Sequence, residues 1–566
     1  MTQGTTAGAS APADAWWRSA VIYQVYPRSF ADSDGDGVGD LRGARAHLAD
    51  LAQLGVDAIW VTPWYASPME DGGYDVADYR AIDPVLGDIE EAEALIAEAR
   101  DRGIRTIIDV VPNHVSARHA WFREALAAPA GSPQRARFWF RDGRGDRGEL
   151  PPTDWTSEFG GGTWTRVAEP DGTPGQWYLH LFDDSQPDLN WDNPEVAAEF
   201  LEVLRFWLDR GVAGVRVDSA ALISKDPALP PSADGRAPGS EHPYLDRDRV
   251  HDVYRAWRAL LDDYTRRDGD ERILVGEVWL EDAERFAHYL RPDEMHCAFN
   301  FDFMARPWDA AELRDSIDRT LAGHGAVGAP ATWVLSNHDV TRPVTRYGRE
   351  DSSFSFATKR FGIPTDLRLG ERRARAAAVL VACLPGALYI YQGDELGLPE
   401  VEDIPRERLT DPMYARTRGS SPGRDGCRVP IPWSGDRPPY GFTAPGASTW
   451  LPQPEGWGPL TVEAERRDPA SVLHLYGGLI ERRHREEDLR RAPLRWIEGA
   501  PDGVLAFRRG RLVCAVSVGA ARTALPSGTR LLIASDPTVR AELFPDTAVL
   551  LEAPDPVAEW REASLV

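Results

Sequence analysis

Eight short apolar runs recur along the chain, and helical patterns fill most of the intervals between them. They are Val21–Tyr26, Ala58–Thr62, Thr106–Val111, Gly214–Asp218, Ile273–Val278, Cys297–Phe301, Thr332–Ser336 and Ala387–Tyr391. Cys297–Phe301 is the weakest of them. Continuous apolar strands separated by helices predict a parallel sheet covered on both faces. The helical stretches carry their own punctuation. Leu41–Leu54 stops at Gly55 and Ile89–Arg102 at Gly103. Pro194–Arg210 has Asn193 as N-cap, Pro194 at its first position and Gly211 after its end. A further helix is expected over Arg249–Arg267. Eight β–α alternations predict a (β/α)8 TIM barrel. An open doubly wound sheet is the alternative, but no GxGxxG opens a helix after the first run.

The chain has 566 residues, too many for one ordinary core. Residues 115–186 follow the third run, are rich in Gly, Pro and Trp, and are too long for a βα loop. They predict a small inserted domain. Residues 396–460 interrupt the pattern again after the eighth run. Ala470–Arg485 reads as a closing helix. From residue 491 short strands at hairpin spacing predict a C-terminal antiparallel β-sandwich. The expected organisation is a tail over 1–15, a barrel over 16–114 and 187–490, the insertion, and a β domain over 491–566.

A net charge of −25 argues against nucleic acid as a partner. Four scattered cysteines form no CxxC pair and no zinc spacing, and read as reduced thiols. The N-terminal residues lack the basic and apolar regions of a signal peptide. No apolar run approaches the roughly 18 residues of a membrane span. No membrane partner is therefore expected, and a cytoplasmic location is. Twenty tryptophans suit a sugar-stacking surface or a large core equally.

The polar residues at the ends of the runs carry the chemistry. The third run holds Asp109 and leads to Asn113 and His114. The fourth presents Arg216 and Asp218 on one face, the fifth ends at Glu277, and the seventh leads to Asn337, His338 and Asp339. A lone Arg–Asp pair reads equally as a structural ion pair. In a barrel, however, strand C-termini converge on one site, and packing does not account for three acids, an arginine and two histidines meeting there.

DVVPNH (109–114), GVRVDS (214–219), GEVW (276–279) and SNHD (336–339) resemble the four signature regions of the α-amylase family, glycoside hydrolase family 13. QPDLN (186–190) resembles the fifth region of its oligo-1,6-glucosidase and α-glucosidase branch, as do residues 16–41, GGYDVADY (72–79) and GRDGCRVPIPW (423–433). The resemblance implies Asp218 as nucleophile, Glu277 as general acid/base and Asp339 as the third carboxylate. Arg216 is expected to keep Asp218 ionised, and nearby negative charge to raise the pKa of Glu277. His114 and His338 would donate to sugar hydroxyls. Asp75 would grip the innermost glucose, assisted by Arg428. Tyr74 and Tyr79 are open between stacking and packing.

The loop Asp32–Asp40 (DSDGDGVGD) places oxygen ligands at alternate positions, as a hard cation requires. The resemblance implies Ca2+ held by Asp32, Asp34, Asp36, the Val38 carbonyl and Asp40. Magnesium is the alternative ion, and a metal-free Asp/Gly turn the alternative to any ion. The implied function is a retaining exo-acting α-glucosidase acting on an oligosaccharide or disaccharide. A glucosyltransferase, a sucrose or trehalose isomerase, and an inactive binding relative are the competing readings. In this branch Val after the nucleophile goes with α-1,6 activity and smaller or polar residues with α-1,4. Ser219 occupies that position and favours α-1,4, whereas QPDLN leans towards α-1,6.

Overall fold

A computed structural model describes residues 15–169, 171–232, 242–520 and 522–553. Of the expected tail only Ala15 lies among them, and it is buried. The eight apolar runs form β1 (Val21–Val25), β2 (Ala58–Val61), β3 (Arg105–Val110), β4 (Gly214–Val217), β5 (Ile273–Gly276), β6 (Cys297–Ala298), β7 (Thr332–Val334) and β8 (Ala387–Tyr391). They pair in parallel in the order β6-β5-β4-β3-β2-β1-β8-β7. This is a barrel with one seam, between β6 and β7, where Thr332 Oγ1 donates to the Ala298 carbonyl.

The side chains sort by parity, because successive residues of a strand face opposite sides. Ile22, Trp60, Ile107, Val275, Phe299 and Tyr389 fill the barrel interior. Val21, Tyr23, Ile59, Val215, Val217 and Leu274 pack outward in the core shared with the helices. Both faces are buried, which is why the runs read as continuously apolar. On β4 the outward pair Val215 and Val217 leaves Arg216 and, beyond the strand end, Asp218 on the inner side.

Two expected elements differ. β6 stops at Ala298 rather than Phe301, because Asn300 caps the helix Phe301–Ala305, accepting the Phe303 N–H at 3.1 Å. The helix expected over Leu41–Leu54 breaks into Leu41–Ala46 and Leu48–Leu54. At the break His47 stacks on Trp433 with ring centroids 3.5 Å apart and bonds Asp50 at 2.6 Å.

Between β3 and β4 the chain forms a three-stranded antiparallel sheet, Phe140–Arg141, Pro174–Leu179 and Trp164–Ala168, with two short helices. Isolated bridges His114–Asp188 and Phe138–Leu189 tie its roots together. At the C-terminus a five-stranded antiparallel sheet carries the two-stranded ladder Thr523–Ala524 and Glu542–Leu543 beside it. Val504, Ala506, Val513 and Val549 face that domain's own core. Leu505, Phe507, Cys514 and Leu550 face the barrel.

Two buried arginines fasten the last barrel helix and the C-terminal domain to the barrel. Arg483 donates to the carbonyls of Ala382, Leu384, Gly386 and Ser19. Arg509 donates to those of Cys383, Leu489 and Ala492. Together they satisfy orphan carbonyls at the end of the helix Leu367–Cys383. Among the described residues no helix is long and apolar enough to cross a membrane.

Candidate active site

Arg216 is the centre of the charged cluster at the strand C-termini. Its Nη1 donates to Asp109 Oδ1 at 2.8 Å and to Asp218 Oδ1 at 2.8 Å. Its Nη2 lies 2.7 Å from Glu277 Oε2. One buried guanidinium thus holds carboxylates from the ends of β3, β4 and β5. Asp109 is further fixed by the Trp60 indole at 3.2 Å and the Tyr74 hydroxyl at 2.9 Å. Ser219 adopts a left-handed conformation with φ 46°, and its N–H donates to Glu277 Oε2 at 2.9 Å. A short polar side chain tolerates this conformation far better than a β-branched one.

Burial dominates the titration of the pair. It raises Asp218 to about 6 against the pull of Arg216. Desolvation outweighs the ion pair in setting the direction of this shift, and a carboxyl at about 6 is still mostly ionised at pH 7. Glu277 rises to about 7, first through burial, with Asp218 and Asp339 adding to it and Arg216 opposing.

Asp339 behaves oppositely. Burial works to raise it, but His338, Arg424, Arg428 and Arg216 outweigh burial and hold it well below the usual range. Arg428 Nη2 donates to its Oδ1 at 2.9 Å and Arg424 Nη1 at 3.2 Å. Burial keeps His338 neutral at ordinary pH, so the two guanidiniums carry the effect there. The His338 ring lies between Tyr74 and Tyr26, with centroids 5.0 and 5.9 Å away, and its Nδ1 faces Gln24 Nε2 at 2.7 Å.

Asp75 does not reach this cluster. Its Oδ1 accepts the Ser67 hydroxyl at 2.9 Å and the Asp71 N–H at 3.1 Å, and its Oδ2 accepts the Glu70 N–H at 3.0 Å. The carboxylate is turned into its own loop. The residue that reaches the cluster is Asp71, whose Oδ1 accepts from Arg424 Nη2 at 2.5 Å and Oδ2 from Gln186 at 2.9 Å. Gly72 and Gly73, at φ 60° and 106°, turn the chain between the two aspartates. At Gly72 a Cβ would stand 2.7 Å from the Tyr26 hydroxyl.

His114 is placed beneath the cluster, with Nε2 at 3.1 Å from the Tyr74 carbonyl and Nδ1 at 3.1 Å from Asn113 Nδ2. Both ring nitrogens therefore have protein partners, and burial holds its pKa at about 3. Tyr79 packs against Tyr65 and Phe200, and its hydroxyl bonds the Val111 carbonyl. It belongs to the core. Asp188 of QPDLN pairs with buried Lys225 at 2.7 Å.

The insertion and the segment after β8 meet over this site. Arg416 donates to the carbonyls of Gly160 and Gly162, both at 2.9 Å. Arg424, which bonds Asp71 and Asp339, lies 4.7 Å over the ring of Phe159. Asp71 and Arg424 were not among the expected site residues, although both adjoin or lie within the motifs that carried the resemblance.

At the first βα loop the carboxylates of Asp32, Asp34 and Asp40 offer oxygens within 4.8 Å of one another. Asp36 stands outside this trio, its Oδ1 accepting the Val38 N–H at 2.7 Å. Three hard oxygen donors on a Gly-rich loop fit a divalent cation.

The fold and the site together define a barrel glycosidase with three carboxylates at the strand C-termini. The sequence profile of the alpha-amylase catalytic domain matches residues 24–492. The chain is 39% identical over 504 residues to the trehalose-6-phosphate hydrolase of Escherichia coli (strain K12), covering 83% of this chain and 84% of that protein. It is 37% identical over 513 residues to a probable alpha-glucosidase of Rhizobium meliloti (strain 1021), covering 87% of each. Among solved structures it resembles the alpha-glucosyl transfer enzyme XgtA, with TM-score 0.80 and 33% identity, covering 95% of this chain and 99% of that one. The chain belongs to the α-amylase family, glycoside hydrolase family 13.

Proposed function

We propose that the protein is a retaining, exo-acting α-glucosidase that removes terminal α-linked glucose from short oligosaccharides through a covalent glucosyl-enzyme. The observation that carries this reading is the pairing of Asp218 and Glu277 on neighbouring nitrogens of one guanidinium. That arrangement fits the short carboxyl separation, about 5–5.5 Å, of retaining enzymes. Asp218 attacks C1 as an anion, and Glu277 gives a proton to the leaving oxygen and then takes one from water. Asp339, held anionic by two arginines, bonds sugar hydroxyls and favours the positive charge that develops on the ring.

Exo action is supported by the join of the insertion and the late segment at the site, where Arg424 pairs with both Asp71 and Asp339 and lies over Phe159, and Arg416 bonds the Gly160 carbonyl. Ser219 supports α-1,4 over α-1,6 linkages. A second reading, glucosyl transfer to a sugar acceptor, is favoured by the likeness to XgtA. A divalent cation, with Ca2+ preferred, belongs to the loop of Asp32, Asp34 and Asp40, where it would brace the first βα loop and take no part in the chemistry.

The test is a side-by-side measurement of glucose release from maltose, isomaltose, sucrose, trehalose and trehalose 6-phosphate. Fastest release from maltose supports the reading. A product spectrum of longer or isomerised saccharides with little glucose favours transfer. No turnover of any of the five overturns both.

A further inference from the structure

Trp279 follows Glu277 by two residues and has no part in the scheme above. Its indole N–H donates to Glu277 Oε1 at 3.1 Å. The other carboxyl oxygen, Oε2, faces the Ser219 N–H at 2.9 Å and the Arg216 guanidinium at 2.7 Å. A hydrogen on Oε2 would point at two donors, one of them charged, so the exchangeable proton belongs on Oε1. A hydroxyl oxygen keeps a lone pair, and the indole N–H fills it, which fixes the direction of the O–H.

The indole is itself held. It lies flat on buried Phe301, with centroids 3.7 Å apart and planes 4° from parallel. The rest of the ring is partly exposed: Trp279 is 37% exposed, Phe356 is 36% exposed, and their centroids are 6.0 Å apart. Among the described residues these are the only aromatic side chains in the set of exposed large hydrophobics. Single exposed apolar residues are ordinary on protein surfaces. Two adjoining rings, one bonded to the acid/base, are a ledge beside the reacting bond.

We propose that Trp279 is a positioning residue that fixes the transferable proton of Glu277 on Oε1 and offers its exposed part to the leaving group. This rests on the reading of Glu277 as the acid/base. In the first step an Asp218 oxygen bonds to C1 while the bond from C1 to the leaving oxygen breaks. The electron pair stays on that oxygen, which takes the Oε1 proton. In the second step water bonds to C1, the bond to Asp218 breaks, and the proton lost by water returns to Oε1. The charged groups that face Glu277 are Arg216 and Asp218 from β4, Asp109 from β3 and Asp339 after β7, and none of them is altered by changing Trp279.

The experiment measures kcat/KM against pH for the wild type, Trp279→Phe, Trp279→Leu and Trp279→Gln, on maltose and on 2,4-dinitrophenyl α-glucoside. Phe keeps the stack and loses the N–H, Leu loses both, and Gln keeps an N–H without the ring. Removing a donor from a carboxylate raises its pKa, so the basic limb on maltose should move up by about half a unit in the Phe and Leu variants. The Gln limb should stay at the wild-type position. Maltose needs a protonated leaving group and the dinitrophenyl glucoside hardly does, so the Phe variant should lose about tenfold more on maltose. An unmoved limb in both Phe and Leu variants, or equal losses on the two substrates, would overturn the positioning role and leave the glucosidase reading intact. If Phe does not fold, Leu decides in the same way. A wild type inactive on both substrates would overturn the glucosidase reading and this role with it.

Discussion

Asp218 and Glu277 share one guanidinium, Asp218 Oδ1 lying 2.8 Å from Arg216 Nη1 and Glu277 Oε2 2.7 Å from Nη2. The arrangement fixes their separation and couples their charges. Removing the cation would leave three buried carboxyls, those of Asp109, Asp218 and Glu277, without it, and breaking a buried pair typically costs about 3–5 kcal/mol.

The pH dependence follows from the direction of each shift. As the proposed nucleophile, Asp218, raised to about 6, must be ionised to attack, so activity should fall as pH drops through that value. As the proposed acid, Glu277, raised to about 7, must be protonated, so activity should fall as pH rises through that value. The profile of kcat/KM should be a narrow bell with its maximum between the two. A plateau extending to pH 9 would contradict the assignment of Glu277.

Asp71 and Asp75 separate function from folding. Asp71→Asn weakens the bond to Arg424 beside Asp339 and should lower kcat/KM by about 10²-fold, through sugar positioning. Asp75→Asn sets an amide N–H against the Glu70 N–H and should cost about 1–3 kcal/mol of stability, with little change in kcat/KM. Kinetics and thermal unfolding of the two variants check this; the reverse pattern would restore Asp75 to the site.

Arg509 is a structural clamp. Its three donors end on the carbonyls of Cys383, Leu489 and Ala492, with no carboxylate in that set. Arg509→Met leaves those carbonyls unmet and should destabilise the protein by about 1–3 kcal/mol. Limited proteolysis should release the C-terminal domain sooner, while kcat at 25 °C stays near the wild-type value.

The loop trio predicts a cation-dependent stability. Binding at 100 times Kd is worth about 2.7 kcal/mol, so calcium added to chelator-treated protein should raise Tm by roughly 2–4 °C. Asp34→Ala should abolish the rise. An equal rise in that variant would place the ion elsewhere, and a larger response to magnesium would name the other ion.

The barrel and its three carboxylates were legible in the sequence because strands buried on both faces leave unbroken apolar runs, and Asp218, Glu277 and Asp339 stand at the ends of those runs. What escaped depends on contacts that no local pattern records. Asp71 and Asp75 sit in the same Gly-rich loop, and only the positive φ of Gly72 and Gly73 decides which one faces Arg424. The early end of β6 follows from Asn300 acting as a helix cap. Arg509 reads as an ordinary strand arginine until the barrel helix Leu367–Cys383 covers it. Arg216 was recognised as the partner of Asp218, but the depth of burial that outweighs it was not readable from the sequence.

On the proposed mechanism Asp218 becomes covalently attached to glucose. Glu277→Gln should react with α-glucosyl fluoride, whose leaving group needs no acid, and then turn over slowly for want of a base. Mass spectrometry of the quenched and digested protein should find one hexosyl unit on the peptide carrying Asp218. An unmodified Asp218 peptide, together with release of β-glucose as the first product from the wild type, would contradict the retaining mechanism.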